Sequence, residues 1–195
     1  MYILGLTGSM AMGKTTVTKM FEENGVPAFH ADEAVHLLFQ KSKRLRGALG
    51  VEFPGVVKDE QVNREKLSTL VFGNPDRLAR LELIIHPFVF REVHKFLKMH
   101  RAQGAPVVIL DLPLLFEIKA EDICDGVLVV TATPEVQKNR AKERANFSEK
   151  NFQDRLARQM PDGEKRKRAT FLIDTGISLD KTRADVKKII AKLAT

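Results

Sequence analysis

A chain of 195 residues, 44% hydrophobic and 29% charged, has the material for one ordinary domain with a full core, which excludes a disordered tail or linker. Its net charge of +7 suits either a nucleic-acid binder or an enzyme that holds several phosphates. Cys124 is the single cysteine, so an internal disulfide is excluded. No run reaches membrane-spanning length and MYILGL lacks the basic stretch of a signal peptide, so the expectation is a cytoplasmic protein with no membrane partner.

Tyr2 to Thr7 reads as a short buried strand ended by Gly8. From Lys14 the pattern turns helical, with Val17, Met20 and Phe21 on one face and Asn24-Gly25 as the stop. Pro27 to His30 predicts a second strand, and Asp32 a cap for the helix after it. Residues 41–63 read as short helix and loop, and Arg64 to Phe72 as helix. Pro75 to Arg101 carries apolar residues at three- and four-residue steps. Pro87 interrupts them, predicting two helices or one kinked helix. PVVIL, ending in Asp111, and VLVV (127–130) are apolar on both faces, as central parallel strands are. Thr133-Pro134-Glu135 predicts a helix start, and Ser148 caps another running to Met160. Phe171 to Ile173 predicts a last strand and Val186, Ile189, Ile190 and Leu193 the face of a final helix. Alternating strands and helices imply a three-layer α/β fold with a mainly parallel sheet, in one domain over residues 1–195.

GSMAMGKT, Gly8 to Thr15, is a glycine, four residues, then Gly-Lys-Thr. Between a strand and a helix this loop aims backbone N–H groups at one point, and the helix N-terminus adds partial positive charge there. Gly8 and Gly13 allow close approach, Lys14 would reach the β- and γ-phosphates, and the Thr15 hydroxyl would hold Mg²⁺. Ligands of open α/β sheets sit beyond the carboxyl ends of strands, so Asp32, just past strand two, could take or orient a hydroxyl proton, or only cap its helix. Arg140 and Arg144 are four apart and predicted to share one helix face, either aimed at the cleft or solvated with Lys138 and Lys142. EKRKR, Glu164 to Arg168, has the same ambiguity. No Asn-Lys-x-Asp segment is present to read guanine.

Taken together, LTGSMAMGKTTV, FHADEAVH, DEQVNREKLSTLVFGNPDRLARLELIIHP, ILDLPLLFE, VVTATPEVQKNRAKER and DRLARQMPDGEK resemble dephospho-CoA kinases over nearly the whole chain. The His-Pro, Pro-Leu-Leu-Phe-Glu and Gln-x-x-Arg combination in this order is the specific part. The resemblance implies a P-loop kinase fold with a helical substrate-binding lobe near 60–103 and a helical lid near 136–168. It also implies transfer of the ATP γ-phosphate to the ribose 3′-hydroxyl of dephospho-CoA, with Mg²⁺ accompanying ATP. It makes Asp32 the catalytic base, with Lys14 and Arg140 beside it in catalysis. ATP would be held by Gly8, Ala11, Met12, Gly13, Lys14, Thr15, Thr16, Arg144 and Thr175, and the acceptor by Asp32, Arg64, His86 and Glu117. Where family members commonly carry glycines, an acid and an asparagine, this chain has Ser9, Ala11 and Met12, His30, and Thr175. Two alternatives are a P-loop kinase for another small acceptor, such as a nucleoside or nucleotide, and a non-catalytic nucleotide-dependent nucleic-acid binder. With ATP and dephospho-CoA as partners, no nucleic acid is expected, and the oligomeric state is not legible.

Overall fold

The structure is a computed structural model that describes residues 1–144 and 147–194. It divides into two compact units, Met1–Phe29 with Met99–Thr195, and His30–Lys98.

The first unit is built on five strands: β1 (Tyr2–Thr7), β2 (Ala28–His30, whose last residue opens the second unit), β5 (Val107–Asp111), β6 (Gly126–Thr131) and β7 (Phe171–Asp174). Their order is β2-β5-β1-β6-β7, and β5, β1, β6 and β7 run parallel. β5 and β6 are buried along their whole length, as their continuous apolar runs require. Leu4, Leu6, Ile109, Leu128, Val130 and Ile173 pack with Val17 and Phe21 of α1 (Lys14–Glu23) and Val186 and Ile189 of α9 (Leu179–Leu193). Because the strands are parallel, their carboxyl ends share one edge. Leu6 pairs with Asp111 and Thr131 with Asp174, which sets residues from distant parts of the chain side by side. Among the described residues this unit also holds three short α-helices, α6 (Pro134–Lys142), α7 (Glu149–Ala157) and α8 (Asp162–Arg168), and a 3-10 turn over Ala120–Ile123. Thr133 and Ser148 cap α6 and α7 as expected, each accepting a backbone N–H three residues on. α7 stops three residues short of Met160, and Pro161 separates it from α8. Ala145 and Asn146, inside the expected 136–168 segment, lie outside the described residues.

The second unit holds α2 (Ala31–Lys41), α3 (Lys43–Glu52), a hairpin of β3 (Val57–Lys58) and β4 (Gln61–Val62), α4 (Arg64–Val71) and most of α5 (Pro75–Ala102). The hairpin turns on Asp59 and Glu60, at φ 51° and 58°. Two left-handed residues match the strand twist, but without Asn-Gly or Asp-Gly the sequence carries no strong sign of such a turn. α5 is one helix through Pro87, not two. Leu81, Val89 and Val93 are buried on both sides of the proline, so one apolar stripe continues across it. The carbonyl that Pro87 leaves without its helical donor belongs to Leu83, a residue 74% exposed. Among the described residues, no helix is long and apolar enough to cross a membrane.

Candidate active site

Residues 8–13 link β1 to α1 as the glycine–lysine pattern requires. A Cβ on Gly8 would lie 2.6 Å from the Val130 carbonyl oxygen, so only glycine lets the loop pass β6. Gly13 has φ 86°, and a Cβ there would also press on Thr175. No side chain caps α1. Its first N–H groups therefore lack both an intrahelical acceptor and a cap, which is the chemistry of an anion cradle. Thr15 and Thr16 stand exposed at this end. Ser9, Ala11 and Met12 are all buried, so the bulk that replaces glycine packs into the protein. Ala11 takes a left-handed φ of 64°, a conformation that costs a non-glycine residue about 1 kcal/mol.

Lys14 Nζ forms an ion pair with Asp111 Oδ1 at the end of β5. Thr18 Oγ1 donates to Asp111 Oδ2 at 3.1 Å and contacts the Lys14 carbonyl at 3.0 Å. Asp111 was legible only as the end of PVVIL. An apolar strand closed by an aspartate, beside the loop-bearing strand, was the signal of an acidic partner for the loop's lysine and metal.

Arg140 and Thr175 come together. The guanidinium donates to Thr175 Oγ1 and to the Thr175 carbonyl, both at 2.8 Å. The same hydroxyl lies 2.9 Å from the Met12 carbonyl, tying α6, the end of β7 and the phosphate loop into one network. The shared helix face expected for Arg140 and Arg144 is corrected by the structure: α6 ends at Lys142, so Arg144 lies beyond the helix and is exposed. Glu117 Oε1 accepts from the Met160 N–H at 2.7 Å and lies 3.0 Å from Nζ of Lys165, which is fully buried. The lysine that pairs with Glu117 comes from the basic run at 164–168. EKRKR is divided: Lys165 points in, Arg168 reaches Glu121 at 3.6 Å and covers the Phe116 ring, and Lys167 stays outside with Glu164.

In the His30–Lys98 unit, helix α2 begins at Ala31 with His30 as its cap position, two residues before the expected Asp32 cap. Asp32 sits exposed in the first turn and its carboxylate caps nothing. His36, one turn on and on the same face, accepts from Arg64 Nη1 through Nδ1 at 3.0 Å. The sequence reading missed His36. His86 lies half-buried within α5 rather than at a helix end before Pro87.

The surroundings of Cys124 favour the protonated thiol. Burial pushes its thiol up to about 12, with Asp125 and Glu121 adding to the shift, and Sγ donates to the Ala120 carbonyl at 3.3 Å. A raised value means the folded state keeps the proton, so stability from this group is present below the unfolded thiol's range near 8.5 and is lost as pH rises toward 12. Alkylation of the native protein at pH 8, followed by thiol titration, should be slower than in denaturant by roughly a thousandfold.

A loop of this kind opening a helix, with an adjacent parallel strand ending in an acid beside its lysine, is the nucleotide-phosphate site of the P-loop fold, which P-loop kinases share. Shikimate kinase from Bacteroides thetaiotaomicron shares the fold at a TM-score of 0.54 and 17% identity, over 100% of this chain and 99% of that one. The family model described as dephospho-CoA kinase matches residues 2–181. A dephospho-CoA kinase of Rhizobium meliloti is 46% identical over 99% of this chain and 98% of its own length. A Thermus thermophilus structure matches at a TM-score of 0.84 and 34% identity, over 98% of this chain and 97% of that one. The chain belongs to the dephospho-CoA kinase family.

Proposed function

We propose that this chain transfers the γ-phosphoryl group of ATP to the ribose 3′-hydroxyl of dephospho-CoA, giving coenzyme A and ADP, the last step of coenzyme A synthesis. The observation that carries this reading is the match of residues 2–181 to the family, which takes in both the phosphate-loop unit and the His30–Lys98 unit. Backbone N–H groups at the start of α1 hold the phosphates, and Lys14 reaches them from its place beside Asp111. The exposed hydroxyl of Thr15 and the carboxylate of Asp111 are hard oxygen donors, the type Mg²⁺ takes, and they fit a metal carried in on the nucleotide. Bound there, Mg²⁺ would neutralise charge on the β- and γ-phosphates.

Asp32 accepts the proton of the 3′-hydroxyl as that oxygen bonds to the γ-phosphorus and the bond from phosphorus to the ADP oxygen breaks. Arg64 and His86, with His36 holding Arg64, serve the acceptor in the helical unit. Glu117 serves the acceptor only through the segment it fastens. Arg140 and Arg144 supply charge over the transferring group from the 136–168 lid, and Thr175 positions Arg140 beside the nucleotide. Phosphates of ATP and the coenzyme account for the basic balance, and the activity belongs in the cytoplasm.

The test is a coupled ADP-release assay with an acceptor screen. Dephospho-CoA should be phosphorylated, with the product cleaved by a 3′-nucleotidase. Turnover of nucleosides or nucleotides in its absence would overturn the reading.

A further inference from the structure

Two of the glutamines in the segment after β6, Gln137 and Gln159, have no role in the chemistry above, yet both end on the same residue of the phosphate loop. Gln137, on α6 and 7% exposed, donates from Nε2 to the Met10 carbonyl at 2.8 Å. Gln159, just past α7 and half-buried, accepts the Met10 N–H through Oε1 at 3.0 Å. Both main-chain polar groups of Met10 are thus satisfied by side-chain amides from residues 127 and 149 positions away. The assignment of each amide is forced, because a carbonyl needs a donor and an N–H needs an acceptor. Beside this clamp, Ala11 packs on Ala141 and Phe152, with Met10, Phe147 and Leu156 around them. The next backbone N–H after Gln159, that of Met160, is held by Glu117, which also pairs with the buried Lys165.

We infer that Gln137 and Gln159 are positioning residues for the phosphate loop: they hold Met10 from both sides and thereby fix the backbone N–H groups that receive the triphosphate. A loop with Ala11 in a glycine conformation has reason to need such a frame. A cradle made of backbone dipoles works only when its donors are held in place before the anion arrives. Glu117 and Lys165 act one step further out, by anchoring the turn that carries Gln159. The inference rests on the proposed use of ATP.

The two contacts have opposite polarity, which makes them separable. Glutamate can still accept from the Met10 N–H but cannot donate to the Met10 carbonyl when ionised. Both Gln→Glu variants add the same charge near the nucleotide, so a purely electrostatic effect moves them together. At pH 8, calorimetric titration with Mg-ATP and no acceptor should give Gln159→Glu a Kd within about threefold of the unaltered chain, and Gln137→Glu a Kd at least about tenfold weaker. Gln137→Met, which loses the donor without gaining charge, should follow Gln137→Glu and carries the same comparison if the latter does not fold. In the kinase assay KM for ATP should rise in the two Gln137 variants while KM for dephospho-CoA stays within about twofold. Equal weakening by the two glutamates, or a KM for the acceptor that moves in step with that for ATP, overturns the inference. An unaltered chain that binds ATP but leaves dephospho-CoA unphosphorylated overturns the proposed function only.

Discussion

Asp32→Asn is expected to lower kcat for dephospho-CoA phosphorylation by roughly a thousandfold, the range a positioned general base supplies, with the Kd for ATP unchanged within about twofold. The substitution keeps the size and removes the proton acceptor. Its structural cost is small. The carboxylate is exposed and caps nothing, and what it gives its helix is the attraction of a first-turn acid to the dipole, about 0.5 kcal/mol. A melting temperature lowered by a degree or two, together with near-complete loss of turnover, is therefore the signature of a chemical role. If the variant turns over at more than about a tenth of the normal rate, Asp32 only orients the acceptor or supports its helix, and the base lies elsewhere.

Asp111→Asn should reduce both stability and catalysis. Asp111 is 7% exposed and its partner Lys14 16%, so removing the carboxylate charge leaves an ammonium with little water to replace it. Breaking a buried pair costs about 3–5 kcal/mol, and the partial access of Lys14 to solvent brings the expectation to about 2 kcal/mol, read by urea denaturation. Turnover should fall by about a hundredfold or more, because Lys14 loses the group that holds it at the loop and, on the proposed function, a bound Mg²⁺ would lose an oxygen donor. A double-mutant cycle separates the two effects. Lys14→Met and Asp111→Leu should each destabilise the fold by a similar amount when made alone, whereas the two together should be more stable than either single variant while remaining inactive. If the double variant's loss is the sum of the two singles, the pair is not coupled and the account of Asp111 fails.

The sequence by itself determined every strand of the main sheet, the phosphate loop, the caps at Thr133 and Ser148 and the stop at Asn24-Gly25. These are local. A helix is a matter of neighbours three and four residues apart, a buried strand is a continuous apolar run, and the loop is eight consecutive residues. The family, too, was legible, because its motifs are contiguous words. The tertiary structure decided which side chains meet. Asp111 finds Lys14 only because β5 lies next to β1 in parallel register. Arg140 closes on Thr175 from 35 positions away, and the division of 164–168 into an inner Lys165 and an outer Lys167 depends on where Glu117 sits. It also carried α5 through Pro87, where a shared buried stripe outweighs one missing hydrogen bond, and turned the loop over 57–62 into a hairpin. Periodicity reports which face of an element is buried; it carries no record of the partner across the gap, because that partner is set by strand order and by segments more than 90 residues distant, as Lys14 and Asp111 are.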